Sequence, residues 1–166
     1  AAPPPLAAMP LWGRNLARVS ALAAGAVFAG SASLASCHCQ VPCGIFDDPA
    51  RVQALAEDAA TIRKAMMQIN ELHAQKPPTA LGANQLARWV LTKEDHASKI
   101  IDLVATYMLA QRVKADAFKT RAEYLEALAA HHAVIMAAVK AKQAVDAAAC
   151  DALDHAVADL KPMYTK

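Results

Sequence analysis

Apolar side chains recur along residues 47–166 at alternating spacings of three and four. The clearest series runs through Val52, Leu55, Ala59, Ile62, Met66 and Ile69. This spacing gathers the apolar side chains into one stripe along a helix, as in the seam of a helical bundle. The sequence shows no period-two alternation of the kind that predicts half-buried strands. It therefore predicts an all-α fold, an antiparallel four-helix bundle preceded by an N-terminal hydrophobic segment.

Polar residues mark the expected helix boundaries. Asp47-Asp48-Pro49 predicts the start of the first helix, because a capping aspartate precedes a proline in the first turn. Thr92-Lys93-Glu94-Asp95 and Thr120-Arg121-Ala122-Glu123 resemble capping boxes and predict the starts of the second and third helices. Asp146 is the expected cap of the fourth helix, which Pro162 is expected to end. The expected seams of these helices include Ile100, Val104, Tyr107 and Met108; Leu125, Leu128, His132 and Ile135; and Leu153, Val157 and Leu160.

The pattern differs over residues 1–37. Arg14 and Arg18 are the only charged residues there, and an uncharged run of 18 residues, Val19 to Ser36, follows them. A basic flank, an apolar centre and small residues at the end are typical of a signal peptide. A short membrane helix has the same features. We therefore expect residues 1–37 to be a leader, signal or membrane-anchor segment.

Charge excludes one class of partner. The formal net charge is +2, and outside residues 1–37 the 15 basic side chains are balanced by 15 acidic ones. A neutral body lacks the basic surface that attracts nucleic acid. No nucleic-acid partner is expected.

Three of the four cysteines cluster. Cys37, Cys39 and Cys43 lie within seven residues, with His38 among them. Such clustering predicts a metal site more readily than a disulfide scaffold. Zinc or copper bound by the three cysteines and His38, and a disulfide between Cys39 and Cys43, are the alternatives that the residues leave open. Cys150 stands alone on the fourth helix and is expected to be a small buried residue.

The heptapeptide His38-Cys39-Gln40-Val41-Pro42-Cys43-Gly44 resembles the nickel hook of nickel-dependent superoxide dismutases, whose pattern is H-C-x-x-P-C-G-x-Y. The resemblance continues more weakly to the C-terminus. It implies a four-helix bundle over 47–166, a hook-like loop over 38–46, a nickel cofactor, superoxide as substrate and a homo-hexamer. It also implies metal ligands from His38, Cys39 and Cys43, and identifies Tyr107 as the counterpart of a family tyrosine near the metal. These four are the expected catalytic residues.

Two positions depart from the family pattern. In the family the hook histidine is the first residue and its free amine binds the metal, whereas His38 here follows Cys37. The resemblance therefore implies nickel binding only after cleavage before His38. Phe46 stands where the family has tyrosine, which removes one hydroxyl group near the expected metal.

Two functional hypotheses follow. The first is a processed, nickel-loaded superoxide dismutase. The second is a membrane-anchored, non-catalytic accessory subunit that contacts a membrane or membrane-protein subunits through residues 11–36 and holds no nickel. Lys93-Glu94-Asp95-His96-Ala97 resembles marine bacterial and algal members of the family. For the second hypothesis, a photosystem complex in an alga is therefore the expected host, with the bundle on the thylakoid lumen side.

Overall fold

The structure, a computed structural model, describes residues 46–165. They form four α-helices: α1 (Asp48–Ala74), α2 (Ala80–Asp102), α3 (Arg121–Gln143) and α4 (Ala147–Tyr164). A π-helical segment, Leu103–Arg112, continues α2, and a 3-10 turn, Ala115–Ala117, leads towards α3. Each helix packs against the next along the chain, and α1 also packs against α4. The predicted four-helix bundle is confirmed, and these 120 residues contain no strand.

The core follows the predicted seam of α1 without exception. All six of its residues are buried, and Leu55 and Ile62 are fully inaccessible to solvent. Ile100, Val104 and Met108 meet them from α2 and the π-helical segment, and α4 contributes the residues Leu153, Val157 and Leu160. Burying such side chains is worth roughly 1.5–3 kcal/mol each, so this apolar interior is the main stabilising contribution to the bundle.

Three predicted helix starts are confirmed by their caps. The carboxylate of Asp47 accepts a hydrogen bond from the Ala50 amide at 3.1 Å, and Asp146 caps α4 in the same way. At α3, Thr120 and Glu123 form a reciprocal capping box. Each side chain satisfies an amide that has no partner within the helix.

The predicted start of the second helix at Thr92 is wrong. Helix α2 begins at Ala80, where the Thr79 hydroxyl accepts a hydrogen bond from the Gly82 amide at 2.9 Å. Thr92 lies within the helix, and its hydroxyl donates to the Arg88 carbonyl. The first turns of α2 contain no buried residue before Lys93. The sequence of these first turns therefore lacks the series of buried apolar positions that would have predicted a helix.

Two further details of the sequence prediction are corrected. The core face of α3 contains His131 rather than His132, because it runs through Ala127, His131, Val134, Ala138 and Ala141. Alanines form most of this face, whereas Leu125, another residue of the predicted seam, is 47% exposed. Pro162 lies within α4, which continues to Tyr164. A proline in the last turn removes only one hydrogen bond there.

Lys93 is a charged residue in the interior, only 3% exposed. Its ammonium group donates to the carbonyl oxygens of Ala141, at 3.1 Å, and Lys142. These carbonyls lie at the C-terminal end of α3, where they lack helical partners and where the helix dipole favours a cation. Lys93 therefore joins α2 to the end of α3.

The apolar core also contains a histidine. His131 has no solvent exposure, and its Nδ1 lies 2.6 Å from the Ala127 carbonyl oxygen. Since a carbonyl can only accept, Nδ1 carries the proton and Nε2 accepts from the Tyr164 hydroxyl, at 2.5 Å. Burial lowers the pKa of His131 below its usual 6.5. The ring is thus a neutral link between α3 and α4.

None of the helices formed by residues 46–165 is long and apolar enough to cross a membrane. The predicted leader or anchor, residues 1–37, lies outside the described part of the chain. Its role and the compartment stay predictions.

We expect His131 to make the stability of the bundle dependent on pH. Below pH 6.5 the unfolded chain binds a proton that the buried ring resists, so the free energy of unfolding falls as the pH decreases towards the folded-state pKa. The slope from this one group is at most about 1.4 kcal/mol per pH unit. Above pH 6.5 both states are neutral at this residue and the contribution is constant.

Urea unfolding of the parent chain and of His131→Gln between pH 4.5 and 8 measures this effect. The variant should be less stable at neutral pH but lose stability less steeply below pH 6.5. His132→Gln, an exposed neighbour on the same helix, should keep the parental slope. Equal slopes for parent and His131→Gln would contradict the assignment.

Candidate functional site

The predicted metal ligands His38, Cys39 and Cys43 lie outside the described residues. Phe46 is the first residue that the structure describes and follows Cys43 by three positions. Three residues of extended chain span at most about 11 Å, so Cys43 cannot lie farther than this from Phe46. Phe46 and its neighbours are therefore the described residues that lie nearest to the hook along the sequence.

Phe46 lies against Tyr107, the predicted catalytic tyrosine. The two rings meet edge to face, with centroids 5.9 Å apart and planes at 76°. The Arg112 guanidinium lies over the Phe46 ring at 4.2 Å, and that of Arg51 lies over the Tyr107 ring at 5.3 Å. Both separations are within the range of a cation–π attraction. Two aromatic rings and two cations thus form one cluster at the start of α1.

The carboxylate of Asp48 connects the members of this cluster. Its Oδ1 accepts a hydrogen bond from the Tyr107 hydroxyl at 2.8 Å. Arg112 donates to both carboxylate oxygens, through Nε at 3.0 and 3.1 Å and through Nη2 at 2.6 Å. The Asp48 side chain is only 14% exposed. A carboxylate this far removed from water requires such donors, and the planar guanidinium supplies two together.

These contacts set the protonation state of Tyr107. Burial, together with the hydrogen bond donated to Asp48, raises the pKa of the phenol above its usual value of 10. Tyr107 is therefore a neutral phenol at neutral pH. Its proton points at Asp48, and the lone pairs of its oxygen are left to accept a hydrogen bond from water or another donor.

A cavity of about 250 Å³ adjoins the cluster and is lined in part by Asp48, Arg112, His131 and Tyr164. Burial and the negative charge of Asp48 raise the pKa of Tyr164, so this second phenol is also neutral. A larger cavity, of about 420 Å³, lies between α1 and α2 and is lined in part by Gln68 and Trp89. It contains none of the predicted site residues.

Residues 46–165 bring together no three histidine, cysteine or acidic side chains that could hold a metal ion. The donor set predicted for the hook consists of one histidine and two cysteine thiolates. Imidazole and thiolate donors bind divalent first-row metals such as nickel, so the residues of the sequence fit that metal.

Tyr107 is the one predicted catalytic residue that the structure describes. Its ring contacts that of Phe46, and its catalytic role stays a prediction. Asp48, Arg51 and Arg112 were missed as members of this cluster. Asp48 was recognised only as part of a helix start, and the two arginines carried no sequence signal. Arg112 lies five residues after Tyr107, a separation that places residues on different faces of an α-helix.

The comparisons with known proteins bear on both the hook and the bundle. The family model for nickel-containing superoxide dismutase matches residues 33–166, while no curated protein and no solved structure matches. The matched range includes His38, Cys39 and Cys43 as well as all four helices. The chain therefore belongs to the nickel-containing superoxide dismutase family.

Proposed function

We propose that this protein, once cleaved before His38, converts superoxide to dioxygen and hydrogen peroxide at a nickel ion bound by His38, Cys39 and Cys43. Two superoxide ions and two protons give one molecule of each product. A thiolate-bound nickel ion, when present, supplies the one-electron couple that this reaction needs. The observation that supports the proposal is the contact between the Tyr107 phenol and Phe46, three residues after Cys43 in the sequence.

Tyr107 acts here as a fixed hydrogen-bond acceptor. Because its hydroxyl donates a hydrogen bond to Asp48, its oxygen can accept one from, and so orient, a water molecule or a protonated form of the substrate. Phe46 contributes an apolar ring and no second hydroxyl. Tyr107 is therefore the phenol that acts beside Phe46.

Arg51 gives the site an attraction for anions. Of the two guanidiniums, that of Arg112 is neutralised by Asp48, whereas that of Arg51 is exposed over the Tyr107 ring. An exposed cation at the entrance of a site raises the rate at which an anionic substrate arrives, and salt weakens the effect. Superoxide carries one negative charge.

Substitution of a hook cysteine tests the proposed metal site. We expect Cys43→Ser to abolish both nickel binding, measured by metal analysis of the purified protein, and superoxide consumption, measured by pulse radiolysis. Cys150→Ser is the matched control, because Cys150 is buried on α4, where its thiol donates to Met66. The control should retain the nickel and the activity. Activity in Cys43→Ser would refute the hook assignment.

The N-terminus of the purified, active protein tests the proposed cleavage. We expect intact-mass analysis to show a chain that begins at His38, with an added mass corresponding to one nickel ion under native conditions. A chain that retains Cys37 and is active would exclude the amine of His38 as a ligand. The comparison needs no substitution and is therefore free of folding effects.

The role of Arg51 predicts a salt effect. Arg51→Gln should lower kcat/KM several-fold at low ionic strength and make it less sensitive to added salt. Lys64→Gln is the control, since Lys64 is an exposed cation about 20 Å farther along α1, beyond the screening length in 0.1 M salt. It should behave like the parent. An equal effect of both substitutions would mean that only net charge matters.

A further inference from the structure

The helix that follows α2 changes its geometry where it reaches the cluster around Asp48. Over Leu103–Arg112 its hydrogen bonds are π-helical, and at its end the Val113 amide donates to the Met108 carbonyl, five residues earlier, at 2.9 Å. The π-helix is rare, and a continuous stretch of ten residues is longer than the usual single turn. Such a segment requires a local reason.

The reason lies in the positions of Tyr107 and Arg112. In an α-helix, two residues separated by five positions point about 140° apart around the axis. In a π-helix, with about 4.4 residues per turn, the same two residues point only about 50° apart. The wider helix therefore brings the Tyr107 hydroxyl and the Arg112 guanidinium to the same carboxylate, that of Asp48.

Arg112 also contacts Phe46, the described residue nearest to the hook in the sequence. While its guanidinium is held by two oxygens of Asp48, its face covers the Phe46 ring at 4.2 Å. The Tyr107 ring also contacts that of Phe46, in an edge-to-face arrangement. Phe46 thus contacts two side chains of the π-helical segment, only three residues after Cys43.

We propose that Arg112 is a positioning residue, which together with Asp48 fixes Phe46 and so anchors the C-terminal end of the nickel hook to the π-helical segment. The inference rests on the proposed function for the identity of the metal site. Arg112 does not touch the metal or the substrate in this role. Arg112 acts on the hook through its contact with the Phe46 ring. It acts on Tyr107 by holding the Asp48 carboxylate to which both residues donate hydrogen bonds.

Arg63 provides a closely matched control. It also lies in a partly exposed ion pair, with side-chain exposure of 34% against 33% for Arg112. It donates to Asp154 through Nε and Nη2, and to Asp151 through Nη2, and so joins α1 to α4. Arg63→Gln therefore removes a comparable ion pair from the bundle without changing the contacts of Phe46.

The first experiment measures amide hydrogen exchange of the segment 46–52 in the metal-free full chain. Arg112→Gln should increase its exchange rate roughly tenfold relative to the parent, whereas Arg63→Gln should leave it unchanged. Arg112→Lys should fall between them, because lysine keeps the cation over Phe46 but cannot donate two parallel hydrogen bonds to Asp48. Circular dichroism confirms that each variant remains helical.

The second experiment measures the rate at which a chelator removes nickel from the processed protein. Loss of residues that orient metal ligands typically weakens metal binding 10- to 100-fold, so Arg112→Gln should release nickel at least roughly ten times faster than Arg63→Gln. Phe46→Leu should release nickel as fast as Arg112→Gln, and the double variant should release it no faster than either single variant. This non-additivity is expected because both changes break the same connection.

The outcomes separate the two proposals. If Arg112→Gln matches Arg63→Gln in both experiments, or speeds exchange without changing nickel release, the positioning role is refuted. If the parent itself takes up no nickel, the proposed function fails. In that case a selective increase of exchange in Arg112→Gln still supports the anchoring of Phe46, because that measurement needs no metal.

Discussion

A single carboxylate, that of Asp48, organises the end of the bundle at which the hook is attached. It is largely withdrawn from water, and such a charge is tolerated only where hydrogen-bond donors replace the lost solvent. One phenol and one guanidinium supply these donors, both from the segment that follows α2. Through these hydrogen bonds Asp48 joins the first turn of α1 to the π-helical segment.

The π-helical geometry suits that requirement. A regular α-helix would direct Tyr107 and Arg112 to different faces, and one of them would be lost to the carboxylate. The wider turns of a π-helix replace the regular α-helical hydrogen bonds, but they allow both Tyr107 and Arg112 to donate hydrogen bonds to Asp48. Segments of this kind occur frequently at functional sites. Here the segment carries the phenol assigned to the site and the guanidinium that covers Phe46.

Buried polar groups recur at both ends of the bundle, and each has a partner that the fold provides. Lys93 satisfies carbonyl groups at the end of α3, and His131 links the same helix to Tyr164 on α4. Such groups contribute less stability than the apolar core. They do, however, specify which helix ends meet, because a slipped arrangement would leave each of them unsatisfied.

The bundle, the complete seam of α1 and three of the helix caps were predicted correctly from the sequence alone, and the sequence also predicts the hook residues His38, Cys39 and Cys43. These depend on local spacing and on motifs a few residues long, which a chain displays without its neighbours. The early start of α2, the burial of His131 rather than His132 and the contacts of Asp48, Arg51 and Arg112 depend on how the helices pack together. Asp48 and Arg112 are 64 residues apart and meet only when α1 packs against the π-helical segment. The spacing of apolar residues along the sequence does not predict such a contact. It does not predict the change from α-helical to π-helical geometry either.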